Sequence, residues 1–145
     1  MERIIIPLYY CKSKVPLVLF KIDDNEKRIG FIDTGSEVSM FDQSLLNGGF
    51  QTSEISGETN FVGINGEGDA TTIHLIKGDV GFKTKNKEYS TIEVVGVTYD
   101  FSALTEVFRK KTEQNICISA IFGSDFLKEH DARIDYKNKT LTINA

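Results

Sequence analysis

The chain has 145 residues, 17 Lys and Arg against 21 Asp and Glu, and a formal net charge of −4. This length suits one domain spanning 1–145, and a 40% hydrophobic fraction can build a core. An acidic chain carries no electrostatic footprint for nucleic acid, and no run nears the ~18 apolar residues of a membrane span.

The N-terminal segment Met1–Tyr10 is apolar but short and broken by Pro7. It lacks a secretory core with a small-residue cleavage site, so a cytoplasmic location is expected. Cys11 and Cys117 read as reduced thiols. With His74 and His130 they do not compose a metal site, and no cofactor is implied.

Composition is even, with no linker or repeat, and twelve glycines punctuate short β-type runs. That pattern predicts a mainly antiparallel β fold. Val15–Asp23 and Lys27–Asp33 form a hairpin across Asp24-Asn25-Glu26 that delivers Asp33 at its end. Glu37–Leu46 is readable as strand or short helix and is broken by Asn47-Gly48-Gly49. Asn60–Ile64 and Ala70–Ile76 read as strands flanking a glycine-rich tip, Gly63–Gly68. Asp79–Thr84 and Tyr89–Thr98 pair across Lys85-Asn86-Lys87. Phe101–Gln114 is the main helix, with Asp100 as N-cap. Phe101, Leu104, Val107 and Phe108 share its apolar face, and Glu106 and Lys110 form an i,i+4 pair. Ile116–Phe122 returns to a strand, where Cys117 reads as a small buried hydrophobe. Gly123 closes it, and Ser124 caps a short helix, Asp125–His130. Asp125 reads as a first-turn acid of that helix and His130 sits near its C-terminus. Arg133–Tyr136 and Thr140–Asn144 make a last hairpin.

The chemically informative stretch is Gly30-Phe31-Ile32-Asp33-Thr34-Gly35-Ser36, an apolar strand ending in Asp-Thr-Gly. Downstream come the glycine-tipped hairpin and then Ile121-Phe122-Gly123. In this order the three parts resemble the retropepsin-like aspartic proteases of retroviruses and retrotransposons, over roughly Val15 to Ile143. The run Gly123-Ser124-Asp125-Phe126-Leu127, followed by Ile134-Asp135-Tyr136, is similar to the retrotransposon type. The resemblance thins between Thr98 and Ile118, where the predicted helix replaces a short connection.

The resemblance implies a single-lobe, closed β-barrel of the acid-protease kind, with a flap hairpin and one or two short helices, working as a C2 homodimer. The chain has one Asp-Thr-Gly, so the second aspartate of a catalytic pair must come from a second copy. The implied activity is aspartic endopeptidase. Asp33, Thr34 and Gly35 form the catalytic loop, and Asp33 of each subunit acts on one water. Thr34 would lock the paired loops, and Gly35 would permit close approach without a Cβ. Ser36 would donate toward the Asp33 carboxylate. Gly63, Ile64, Asn65 and Gly66 would close over an extended peptide, Ile121 and Phe122 would line the wall beneath the loop, and Ser36 and Glu37 would border the substrate.

Two departures stand out. Ser124 replaces the arginine of retroviral enzymes, and Glu37 replaces its aspartate partner, so the interface must be held differently. The hairpin Arg133–Asn144 is the candidate for interdigitating between subunits. The alternative function is a catalytically silent dimerisation or peptide-binding module of the same fold. An aspartyl-phosphate enzyme is disfavoured: the motif lacks that family's lysine, and the chain leaves no room for a nucleotide domain.

Overall fold

The first strand, β1 (Arg3–Pro7), buries Ile4 and Ile6 and exposes Ile5, the period-two pattern of a one-sided strand. The computed structural model describes residues 2–10, 14–22, 26–47, 51–59, 62–63, 66–67, 71–114 and 116–145. In chain order the further strands are β2 (Leu17–Lys21), β3 (Arg28–Ile32), β4 (Met40–Asp42), β5 (Gln51–Thr59), β6 (Val62–Gly63), β7 (Gly66–Glu67), β8 (Thr71–Lys83), β9 (Tyr89–Tyr99), β10 (Ile118–Phe122), β11 (Arg133–Asp135) and β12 (Thr140–Asn144). A 3-10 turn, Gln43–Asn47, follows β4, and two helices, α1 (Ser102–Thr112) and α2 (Ser124–Glu129), flank β10.

Six strands close a barrel in the order β2-β3-β10-β4-β9-β8. The pairs Phe20↔Phe82 and Lys21↔Gly81 join β8 back to β2. β5 lies outside the ring, paired antiparallel with the N-terminal half of β8. The other ladders are antiparallel, as expected of a mainly antiparallel fold, but two pairings are parallel, β10 with β3 and β4 with β9. Parallel neighbours need a long crossover, and the segment carrying α1 supplies one, bringing β10 back between β3 and β4.

β10 also separates two apolar clusters. A register irregularity lies between Ile118 and Ala120. Ala120 and Phe122 face the barrel interior, whereas Ile118 and Ile121 face α1. Inside, the fully buried Phe122 ring stands 5.0 Å from Phe82, 5.3 Å from Phe126, 5.6 Å from Phe20 and 5.8 Å from Phe41, centroid to centroid. Each buried phenylalanine contributes about 1.5–3 kcal/mol by leaving water. Outside, Phe101, Leu104 and Phe108 cover Leu17, Phe31, Ile118 and Ile121.

Several local expectations need correction. Val107 is 44% exposed and does not join the buried face of α1. Asp100 does accept the Ser102 N–H at 2.9 Å, but the helix begins one residue later than expected and Phe101 occupies the cap position. Glu106 pairs with Arg109, at 2.6 Å, rather than with Lys110. Cys117 is exposed, because the chain is still outside the barrel before β10 begins. Ser124 is the first residue of α2 and Gly123 is its cap, with no side-chain cap bond. His130 does end α2. Cys11 and the turn residues Asp24 and Asn25 lie outside the described residues, as does the His74 side chain.

The last hairpin is not free to interdigitate through its C-terminal strand. β12 is central in a three-stranded sheet, β1-β12-β11, so both of its edges are paired within one chain. The missed β1 is the reason: its alternating isoleucines complete that sheet.

Candidate active site

Asp33 follows directly on β3, and its position is set by backbone bonds from two distant segments. Its N–H donates to the Phe122 carbonyl at the end of β10 (3.0 Å), and its carbonyl accepts the Ser36 N–H (3.2 Å). The Ser36 carbonyl in turn accepts the Ser124 N–H at 2.7 Å. The Asp33–Ser36 loop is thereby pinned between the end of β10 and the start of α2.

The Asp33 carboxylate is half-buried, and its Oδ1 accepts the Gly35 N–H at 2.9 Å. A Cβ on Gly35 would stand 3.3 Å from that oxygen, so glycine keeps the approach uncrowded. Thr34 and Gly35 are exposed at the loop tip. Thr34 borders a surface groove of about 470 Å³ shared with Ser124, Leu127, Lys128, Asp131 and Ile134. Ser36 does not donate to Asp33 as expected; its hydroxyl donates to the Val38 carbonyl at 2.7 Å. Glu37 is exposed beside it.

Ile121 and Phe122 lie beneath the loop but present almost no surface, at 2% and 0% exposure. They support the loop and are too buried to touch a substrate. Gly63 and Gly66 face each other across the paired β6 and β7, with Val62 opposite Glu67. Ile64 and Asn65 lie outside the described residues. Of the expected strand Asn60–Ile64, Val62 and Gly63 form β6, and Asn60 and Phe61 also lie outside the described residues; β5, ahead of it, pairs with β8.

Behind the loop stands a second set of bonds, centred on a residue that no motif in the sequence marks. Ser39 is fully buried. Its N–H donates to Asp125 Oδ2 (3.0 Å), its hydroxyl donates to Asp125 Oδ1 (2.7 Å), and its Oγ accepts the Gly123 N–H (3.0 Å). Asp125 Oδ1 also accepts the Phe126 N–H at 2.7 Å. Asp125 is the expected first-turn acid, but its larger role is to tie the segment after the Asp33 loop to the start of α2. Nothing in the spacing of Ser39 and Asp125, 86 residues apart, announces the contact. Gly123 is forced by the same crossing: a Cβ there would stand 2.5 Å from the Ser36 oxygen and 2.8 Å from that of Val38.

No family model matches the chain, and no curated protein matches it in sequence. Among solved structures, the retroviral protease-like domain of Ddi1 from Leishmania major superposes with a TM-score of 0.50 at 17% identity. The match covers 90% of this chain and 88% of that one. The chain has the retropepsin-like fold. Within the retropepsin-like barrel, Asp33 stands where β3 and its parallel neighbour β10 both end. No helix among the described residues is long and apolar enough to cross a membrane.

Proposed function

We propose that the chain is an aspartic endopeptidase active as a homodimer, with Asp33 of each subunit acting on a shared water. One observation carries this reading. The Asp33-Thr34-Gly35 loop is pinned by Phe122 and Ser124 on a retropepsin-like barrel, and its carboxylate accepts the Gly35 N–H. The in-chain carboxylate nearest in role, Asp125, is bound by three donors from Ser39 and Phe126 and is not available as a partner. A two-fold axis at the Asp33 loops supplies the second carboxyl group.

Two close carboxyl groups share one proton, because both cannot ionise at short range. The ionised one takes a proton from the water as it attacks the scissile carbonyl, and the protonated one donates a hydrogen bond to the carbonyl oxygen. Thr34, exposed at the tip, would bond across the axis, and the β6–β7 pair with Gly63, Ile64, Asn65 and Gly66 would cover an extended peptide. Ser36 and Glu37 would border that peptide.

The test is cleavage of a diverse peptide library from pH 3 to 7.5 by wild type and Asp33→Asn, matched for dimer content. Cleavage by wild type alone supports the endopeptidase. Silence from a confirmed wild-type dimer refutes it in favour of a binding module of the same fold.

A further inference from the structure

The two sides of β9 are unequally used. On one side it pairs with β8 along its whole length, whereas on the other β4 covers only Val97, Thr98 and Tyr99. The direction of each backbone group follows from two bonds. Thr84 N–H donates to the Glu88 carbonyl across the β8–β9 turn, which makes Phe82↔Ser90, Val80↔Ile92, Gly78↔Val94 and Ile76↔Gly96 the hydrogen-bonded pairs. Val97 N–H donates the other way, to Ser39. Thr91, Glu93 and Val95 therefore share the direction of Val97 and point their N–H and C=O groups away from β8. Among the described residues no strand pairs with them there.

That edge opens on a groove of about 530 Å³. Its walls include Thr91, Glu93 and Val95 on β9 and Phe126, Glu129 and His130 at α2. Its charge is one-sided. Glu93 and Glu129 are exposed, and Asp125 adds a third carboxylate, already bound to Ser39. Opposing them are His130, whose Nδ1 lies 3.0 Å from the Asn144 carbonyl, and Lys77, which meets Glu93 at 3.5 Å from β8. With both partners more than half exposed, the Lys77–Glu93 pair contributes little and is readily exchanged.

We propose that this groove takes up an extended, basic segment of a partner protein as an added strand on β9. Backbone groups of Thr91, Glu93 and Val95 would supply the ladder, and lysine or arginine at alternate positions would meet Glu93 and Glu129. The site is distinct from the Asp33 loop and does not depend on the peptidase reading.

The test is a titration of the ¹⁵N-labelled intact protein with an acetylated, amidated octapeptide of alternating lysine and valine, and with its glutamate–valine analogue. The lysine peptide should shift the amides of Thr91, Glu93 and Val95, and the glutamate analogue should bind at least about tenfold more weakly. Glu93→Pro removes the outward N–H together with the carboxylate and leaves the β8 ladder whole, so it should weaken binding about tenfold. Glu129→Lys, on the exposed face of α2, should weaken it about fivefold with no change in Tm, and carries the test if Glu93→Pro does not fold. Absence of shifts at Thr91–Val95, equal affinity for the two peptides, or full binding by folded Glu93→Pro would overturn the proposal. So would concentration-dependent self-association through the same amides without peptide, since the occupant would then be a second copy.

Discussion

Replacing Asp125 by alanine separates the clamp from the barrel core as the support of the Asp33 loop. The side chain accepts the N–H and hydroxyl of Ser39, which is fully buried, and the N–H of Phe126. Alanine leaves two Ser39 donors without partners, each at a cost of about 1–3 kcal/mol. Asp125 itself borders solvent, so water recovers part of the loss, and the expected total is about 3 kcal/mol. For a chain of this size that lowers Tm by about 9 °C. Asp125→Asn retains one acceptor oxygen and should lose about half as much. Thermal unfolding must be compared at matched concentration, because self-association makes Tm concentration-dependent. In the peptide assay, at a temperature where both proteins are folded, kcat should fall about tenfold with a smaller change in KM, because the loop that aims Asp33 has lost its tether. A Tm change under about 2 °C would refute the reasoning. So would full additivity of Ser39→Ala and Asp125→Ala, since residues sharing a bond should couple.

Phe122→Ala should destabilise the protein by about 3–5 kcal/mol in urea unfolding, because four phenylalanine rings surround the space it vacates; a loss under about 1 kcal/mol would mean that the barrel collapses around it. The bonds from the Ser102 hydroxyl and N–H hold the Asp100 carboxyl below its ordinary value of 3.8. A folded-state value below the unfolded one stabilises above the unfolded pKa, and that contribution is lost as pH falls through the folded value. Wild type should therefore exceed Asp100→Asn in urea midpoint near pH 6, and the gap should narrow as pH falls below 3.8; a gap independent of pH would exclude this role.

The parts that a reader of the sequence can find are those whose signal is local. Asp33-Thr34-Gly35 is three adjacent residues, and the β8–β9 turn at Lys85–Lys87 and the buried Leu104 and Phe108 of α1 follow short periodicities. What stays hidden is pairing at long range. The parallel position of β10 between β3 and β4, the Ser39–Asp125 clamp and the partnership of β1 with β12 join residues far apart in the chain. No local pattern encodes them, because each is chosen by packing of the whole barrel. Ser36 shows the same limit at close range: its hydroxyl donates to the Val38 carbonyl rather than to Asp33.

The crossing at Gly123 also sets an order of events during synthesis. Gly123 reaches Ser39 across 84 residues, and Asp125 reaches it across 86. Phe122 and Ser124, which pin the Asp33 loop, belong to the same late stretch. A ribosome that has released only the first two-thirds of the chain has made the aspartate but not Phe122, Ser124 or Asp125, which anchor its loop. Closing so long a loop is entropically slow. The candidate site is consequently among the last features to form, and a nascent or truncated chain carries an Asp-Thr-Gly without the anchors that fix its loop.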